Sequence, residues 1–177
     1  MPDSLEFQVT LYPSPVLRTP AEPLDAFDEE LAAIIEAMLD RMRESRGVGL
    51  AAPQVGLKKR LLVLNHTGEE GDDLALVNPE ILGTSGPRST YEEGCLSFPG
   101  IYGEVSRPER VRLKACTPAG ESFEAEYSGF QSRVIQHEMD HLEGVLLVDR
   151  MSPADKLRNK VAIENLVEDY KAARAGR

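Results

Sequence analysis

The chain has 177 residues, 41% of them hydrophobic and 28% charged, and its 30 acidic against 20 basic side chains give a formal charge of -10. That is enough chain for one domain with its own core, read here as residues 1–177, and the negative balance argues against DNA or other nucleic acid as a partner. No apolar run approaches the roughly eighteen residues of a membrane span, the first residues show no basic stretch followed by an apolar one, and 2 cysteines make no disulfide framework, so the expectation is a protein of the cytoplasm without membrane contact, a mature organellar form being the alternative.

In chain order, Leu24, Phe27, Leu31, Ile34, Ile35, Met38 and Met42 mark an amphipathic first helix with acidic residues in its first turn, where they oppose the helix dipole favourably. Gly47 to Gly56 is rich in residues with little or no side chain, which lets another backbone come close. It lacks the Lys-Ser or Lys-Thr of a phosphate loop and the Rossmann spacing, and taken alone it reads as a flexible loop with a small-residue packing surface. Strands are expected at Arg60–Asn65, Leu74–Val77, Glu109–Cys116 and Ser122–Tyr127. Between the first two, a Gly/Glu/Asp cluster reads as an exposed loop with His66 in solvent. Cys116 alternates with polar neighbours like a small buried apolar residue, whereas Cys95 lies in Glu93-Gly94-Cys95-Leu96-Ser97-Phe98-Pro99-Gly100, which reads as an irregular, tightly turned segment.

The next helix carries the chemistry. Ser128 and Gln131 have capping-box spacing, Gly144 stands where a helix commonly ends, and Phe130, Val134, His137 and His141 share one face. Ile135, Met139 and Leu142 form a second apolar row, so the helix is expected to be buried on two sides. His137-Glu138-Met139-Asp140-His141 sets two imidazoles one turn apart with a carboxylate beside them, the pattern of a metal site with a base attached. Two core histidines bonded to backbone would instead leave Glu138 buried without a partner, which is costly. A catalytic metal commonly takes three protein ligands and keeps one position for water, and Cys95 is the candidate for the third. A last helix is expected from Pro153 to Ala173, with Leu157, Val161, Leu166, Val167 and Tyr170 as its apolar side. From Ala154 to Arg177 there are six basic against four acidic residues, counter to the overall balance, although basic residues at a helix end also simply complement its dipole.

Three segments together resemble the signatures of the peptide deformylases, of the bacterial-like type 1: G-x-G-x-A-A-x-Q at Gly47–Gln54, E-G-C-L-S at Glu93–Ser97, and Q-H-E-x-D-H at Gln136–His141, in that order. The likeness extends through Asn78-Pro79, the Arg-Val-Ile lead-in to the third motif and the exit from Gly144 to Asp149. It implies an α+β fold, with antiparallel sheets packed around a central metal-binding helix, an N-terminal amphipathic helix and a C-terminal helix. It also implies hydrolysis of the N-formyl group from the N-terminal methionine of newly made polypeptides, releasing formate. Cys95, His137 and His141 would then be the metal ligands and Glu138 the general base and acid, while the Gln54 amide and the Leu96 backbone N–H would steady the oxyanion. The peptide would add as a strand near Gly49, with Val48, Gly49, Tyr91, Phe130, Arg133 and Val134 as substrate-binding candidates, Arg133 lending its aliphatic stem while its charge reaches water.

The family resemblance points to Fe2+ as the working ion, with Zn2+, Ni2+ or Co2+ able to substitute. It names N-formylmethionyl nascent peptides as partners and allows a transient ribosome contact through the C-terminal helix. Tyr102 departs from family members that carry an arginine in this part of the chain, so contacts from Phe98 to Glu104 are expected to differ. Two other readings stay open on the sequence: an H-E-x-x-H zinc metallopeptidase, with Glu143 as a conceivable third ligand, and a non-enzymatic protein braced by a structural metal.

Overall fold

A computed structural model describes residues 5–176; the leader reading at Met1–Ser4 and the basic Arg177 lie outside the described residues. Asp28 sets the start of α1, Glu29–Glu44, by accepting a hydrogen bond from Leu31 N–H at 3.0 Å. The helix starts later than its apolar spacing suggests. Leu24 and Phe27 precede it outside any helix or strand, where the Asn78 side chain bonds Leu24 N–H and C=O at 2.7 and 2.8 Å. Leu31, Ile34, Ile35, Met38, Leu39 and Met42 form its buried stripe. It closes with two backbone bonds, Arg46 N–H to Arg43 O and Gly47 N–H to Met42 O, both 2.9 Å.

One five-stranded antiparallel sheet runs β1, β2, β3, β4, β5 in spatial and chain order, where several sheets had been expected. Its strands are β1 Gly49–Ala51, β2 Leu61–Leu64, β3 Leu74–Cys95, β4 Phe98–Cys116 and β5 Ser122–Ser128. The glycine-rich segment is therefore no flexible loop: it forms β1 and then a buried 3-10 turn, Ala52–Val55. Leu74–Val77 and Glu109–Cys116 prove to be the outer ends of two long strands. Between them, residues 80–94 pair mostly without a buried face and carry Gly83, Gly86 and Pro87, so no apolar alternation announces them. Register shifts, among them Val77/Glu80 and Ser85/Arg88, let this ladder bend. Cys95, expected in an irregular segment, is the last residue of β3 and pairs with Phe98 across the two-residue turn Leu96-Ser97. Cys116 is half-buried at the other end of β4, against the core beneath α1.

Across the sheet lies α2, Gly129–Leu142, with Val134, Ile135, Met139 and Leu142 packed among Leu62, Leu64, Leu76 and Leu113. The capping box does not form. Ser128 holds the cap position without a side-chain bond, and the Glu109 carboxylate accepts from Gly129 N–H instead, at 3.2 Å. Three helices follow: α3 Leu147–Arg150, α4 Pro153–Arg158 and α5 Lys160–Ala175. The expected continuous last helix is thus divided at Asn159, whose amide donates to Tyr102 O at 2.8 Å and Asp155 O at 2.9 Å. Its inner side also differs: Ala162, Ile163 and Leu166 meet the cluster around Phe98, Ile101 and Leu146, while Leu157 and Val161 are 74% and 68% exposed. Among the described residues no helix is long and apolar enough to cross a membrane. The whole is the α+β arrangement around a central helix that the motifs imply.

Candidate active site

Helical spacing on α2 brings the His137 and His141 rings to a centroid separation of 5.2 Å, and the end of β3 brings Cys95 Sγ to 3.2 Å from His141 Nε2. One ligand atom from each of Cys95, His137 and His141 lies within 4.8 Å of the others. Zinc-like bond lengths and tetrahedral angles put neighbouring N and S donors about 3.3–3.6 Å apart, so this donor set suits a first-row divalent ion. Two buried atoms here, Glu138 Oε2 and His141 Nδ1, have no hydrogen-bond partner among the described residues. Buried polar atoms seldom go unpaired, and a site handling water and substrate is where such an exception has a use.

Behind the ligands stands a charged layer to which the sequence reading gave no role. Glu93 accepts from Arg107 at 2.7 and 3.0 Å and from Arg133 at 2.8 Å, and lies 3.0 Å from His137 Nδ1. Burial alone would raise the Glu93 carboxyl, but the bonds from His137 and Arg107 outweigh it and hold it at about 2. An ionised carboxylate only accepts, so His137 Nδ1 carries the proton and Nε2 is turned toward the metal site. Burial opposes charge on His137, yet its bonds to Cys95 and Glu93 hold it well above the ordinary histidine value; burial and the neighbouring His137 drive His141 well below it. Arg107 also bonds Asp140 at 3.0 Å, and Asp140 in turn takes Arg150. The missed signal was periodicity: Ile101, Gly103, Val105 and Arg107 are the inward positions of an alternating strand, and an arginine among them needs buried acids.

Glu138 is 4% exposed, and burial pushes its carboxyl up to about 7. Gln54, buried on the 3-10 turn, lines the same cavity. Its Oε1 accepts from Ala51 N–H at 2.9 Å, which fixes the amide and directs Nε2 toward Ser97 Oγ at 3.4 Å and Cys95 Sγ at 3.6 Å. Leu96, in the turn after Cys95, lines the same cavity of about 510 Å³. At the sheet edge, a Cβ on Gly49 would stand 2.7 Å from Glu138 Oε1 and 2.8 Å from Val134 Cγ1, so only glycine lets β1 approach the metal helix this closely.

Val48, Gly49, Phe130, Arg133 and Val134 line this cavity, but Tyr91 does not. Tyr91 is 62% exposed, and its ring lies under the Arg133 guanidinium at 5.0 Å. Nor does the Arg133 charge reach water as expected: it bonds Glu93, Val105 O at 3.0 Å and Ser89 O at 2.8 Å. Tyr102 stands on β4 at the cavity wall, its ring filling the space a Cβ on Gly94 would need, 2.6 Å from Cε1. His66 lies outside the ligand cluster and, contrary to its solvent placement, is half-buried. Glu143, which a metallopeptidase reading would need, is 52% exposed and paired with Arg60 at 2.6 Å.

A family model for polypeptide deformylase matches residues 7–157. Peptide deformylase from Phenylobacterium zucineum is 42% identical over 94% of this chain and 98% of its own length. Peptide deformylase 1B of Arabidopsis thaliana, a chloroplastic/mitochondrial protein, is 45% identical over 92% of the chain, which spans only 61% of that relative's length. The structure of peptide deformylase from Plasmodium falciparum superposes with a TM-score of 0.90 at 39% identity, covering 93% of this chain and 98% of that one. Sequence motifs, metal-ligand geometry and fold converge, and the chain belongs to the polypeptide deformylase family.

Proposed function

We infer that the chain, acting as one catalytic unit, removes the formyl group from the N-terminal methionine of new polypeptides, releasing formate and a free amino terminus. The observation that carries this reading is Glu138, buried beside a Cys/His/His donor set with one carboxylate oxygen unpartnered at a peptide-sized cleft. Cys95, His137 and His141 would hold the ion, which when bound polarises water and the formyl group. Glu138 takes the proton of the attacking water and passes it to the leaving amine. Gln54 Nε2, fixed by Ala51, and the Leu96 N–H donate to the oxygen that gains charge as the carbonyl carbon becomes tetrahedral. Val48, Phe130 and Val134 supply apolar wall for the methionine, and Gly49 permits the peptide backbone to lie along the edge of β1.

Formate release from a formyl-Met tripeptide, with the acetyl-Met peptide as control, tests the reading. Release from the formyl peptide alone is expected; none from protein carrying one equivalent of metal would remove it. Ferrous iron is the working ion we propose, and a zinc form more active than the anaerobic iron form would overturn that choice. For location we propose the cytoplasm or an organelle with its own translation, where formylated chains arise. Ribosome contact through α5 is proposed on the family resemblance and the basic residues of the C-terminal segment. Pelleting with ribosomes at two salt concentrations, with and without the last seven residues, decides it, and equal, salt-insensitive recovery of both forms would count against contact.

A further inference from the structure

We propose that Arg46 reads the charge of the peptide two residues beyond its methionine, favouring acidic over basic side chains there; the inference deepens the deformylase reading and rests on it. Arg46 occupies the position after the α1 C-cap with φ +56°, a left-handed conformation that glycine adopts freely and other residues adopt at a cost of about 1 kcal/mol. The ordinary use of a basic residue at a helix end is already filled by Arg41 and Arg43 in the last turn. Arg43 is held by Asp40 and Asp73, and Arg41 by Glu44, whereas Arg46 makes no ion pair among the described residues. Its side chain is exposed and lines the active-site cavity. A strained non-glycine residue that spends its charge on nothing in the fold, at the rim of a ligand cleft, is where a functional constraint belongs.

The direction of the chain supplies the register. Gly49 abuts Glu138, and Val48, Gly47 and Arg46 lead away from it, with Val48 O extending the ladder by accepting from Asn65 N–H at 2.9 Å. β1 is the sheet's edge, so its outer side is open to an added strand. A peptide whose formyl end meets Glu138 and which runs down this edge passes Val48 with its methionine. At equal rise per residue, it sets the second residue after methionine beside Arg46. Glu92, exposed on the opposite rim, is the opposing charge, so the cleft mouth is cationic on the α1 side and anionic on the β3 side.

The test compares kcat/KM for amidated formyl-Met-Ala-Asp and formyl-Met-Ala-Lys, with formyl-Met-Ala-Ala as reference, in iron-loaded wild type, Arg46→Gly, Arg46→Glu and Glu92→Gln. NMR titration of each protein with the product peptides Met-Ala-Asp and Met-Ala-Lys runs alongside. Wild type should favour Asp over Lys by about fivefold at low salt, the size an exposed pair supports, with the difference in KM and shrinking as salt is added. Arg46→Gly should bring the ratio to one and melt no lower than wild type, since glycine relieves the left-handed residue. Arg46→Glu should invert the ratio, and Glu92→Gln should keep its sign. An Asp/Lys ratio that is the same in wild type, Arg46→Gly and Arg46→Glu overturns the inference, as does a wild-type ratio of one with formyl-Met-Ala-Ala turned over. Should no formyl peptide be cleaved, the deformylase reading fails, and the titration still judges Arg46: charge-ordered binding abolished in Arg46→Gly upholds it, and charge-blind binding overturns it.

Discussion

Two helices of similar length, α2 with 14 residues and α5 with 16, are both amphipathic in sequence and meet opposite fates in the fold. α2 buries eight of its residues, among them Glu138 and His141, against the sheet and the charged layer around Glu93. α5 buries none and is fixed mainly by half-buried contacts and by Asn159 at its start. Catalytic groups need positions fixed to a fraction of an ångström, and burial on rigid elements supplies that, whereas a helix resting on the surface opens at low cost. Burial and the proposed chemistry are therefore concentrated in the same element, and α5 carries less of the first and none of the second.

The largest effect should come from the centre of α2. Glu138→Ala removes the proposed proton carrier without touching a metal ligand, so kcat should fall by about 10²–10⁴-fold while metal content and melting temperature hold. Loss of metal with activity would make Glu138 a ligand and dissolve the distinction between bracing and chemistry. Next comes the layer that steadies His137. Arg107→Ala leaves Glu93 and Asp140 buried with too few cations, a defect that costs about 3–5 kcal/mol in unfolding experiments. A loss below about 1 kcal/mol would mean water reaches Glu93 and the layer is not sealed.

A matched pair of truncations sharpens the contrast directly. Ile135→Ala on α2, where the side chain is 0% exposed, should destabilise by about 2–5 kcal/mol. Ile163→Ala on α5 opens onto solvent and should cost less than half as much, since water fills a half-buried site and leaves no cavity. Equal losses in urea titrations would show α5 to be part of the core after all.

How much of this could be read from the sequence varied with the kind of signal. His137, Glu138 and His141 were legible because helical spacing alone brings them together, and Cys95 because a lone cysteine outside any apolar alternation needs another reason to be there. The residues that hold them were not. Glu93, Arg107 and Asp140 come from two strands and a helix, and a buried charge announces itself only once its partners are known. Residues 80–94 carry no period because that stretch of β3 buries almost nothing, so β3 was seen only at its start, whereas the inner half of β4 does alternate at Ile101, Gly103, Val105 and Arg107 but sets a glycine and an arginine among its inward positions. The free charge given to Arg133 failed because helix spacing says which residues share a side, but not that Ser89, Glu93 and Val105 wait there to bind a guanidinium, and Tyr91, on β3, stacks on that guanidinium instead of lining the cavity.

The smallest expected effect tests the emptier side of the comparison. Leu157 and Val161 would look like core positions if α4 and α5 were one helix, but the break at Asn159 turns them outward. Leu157→Lys and Val161→Lys should each change stability by no more than about 0.5 kcal/mol, as surface replacements away from caps and networks do. Val161 lies beside Lys160 and Glu164, a pair at 3.8 Å exposed to solvent, so a further lysine there meets water rather than a buried carboxylate. If instead either substitution lowered the melting temperature by several degrees in a concentration-dependent way, the face would be covered by another copy of the chain. The low stability assigned to α5 would then be a property of the isolated chain rather than of the protein at working concentration.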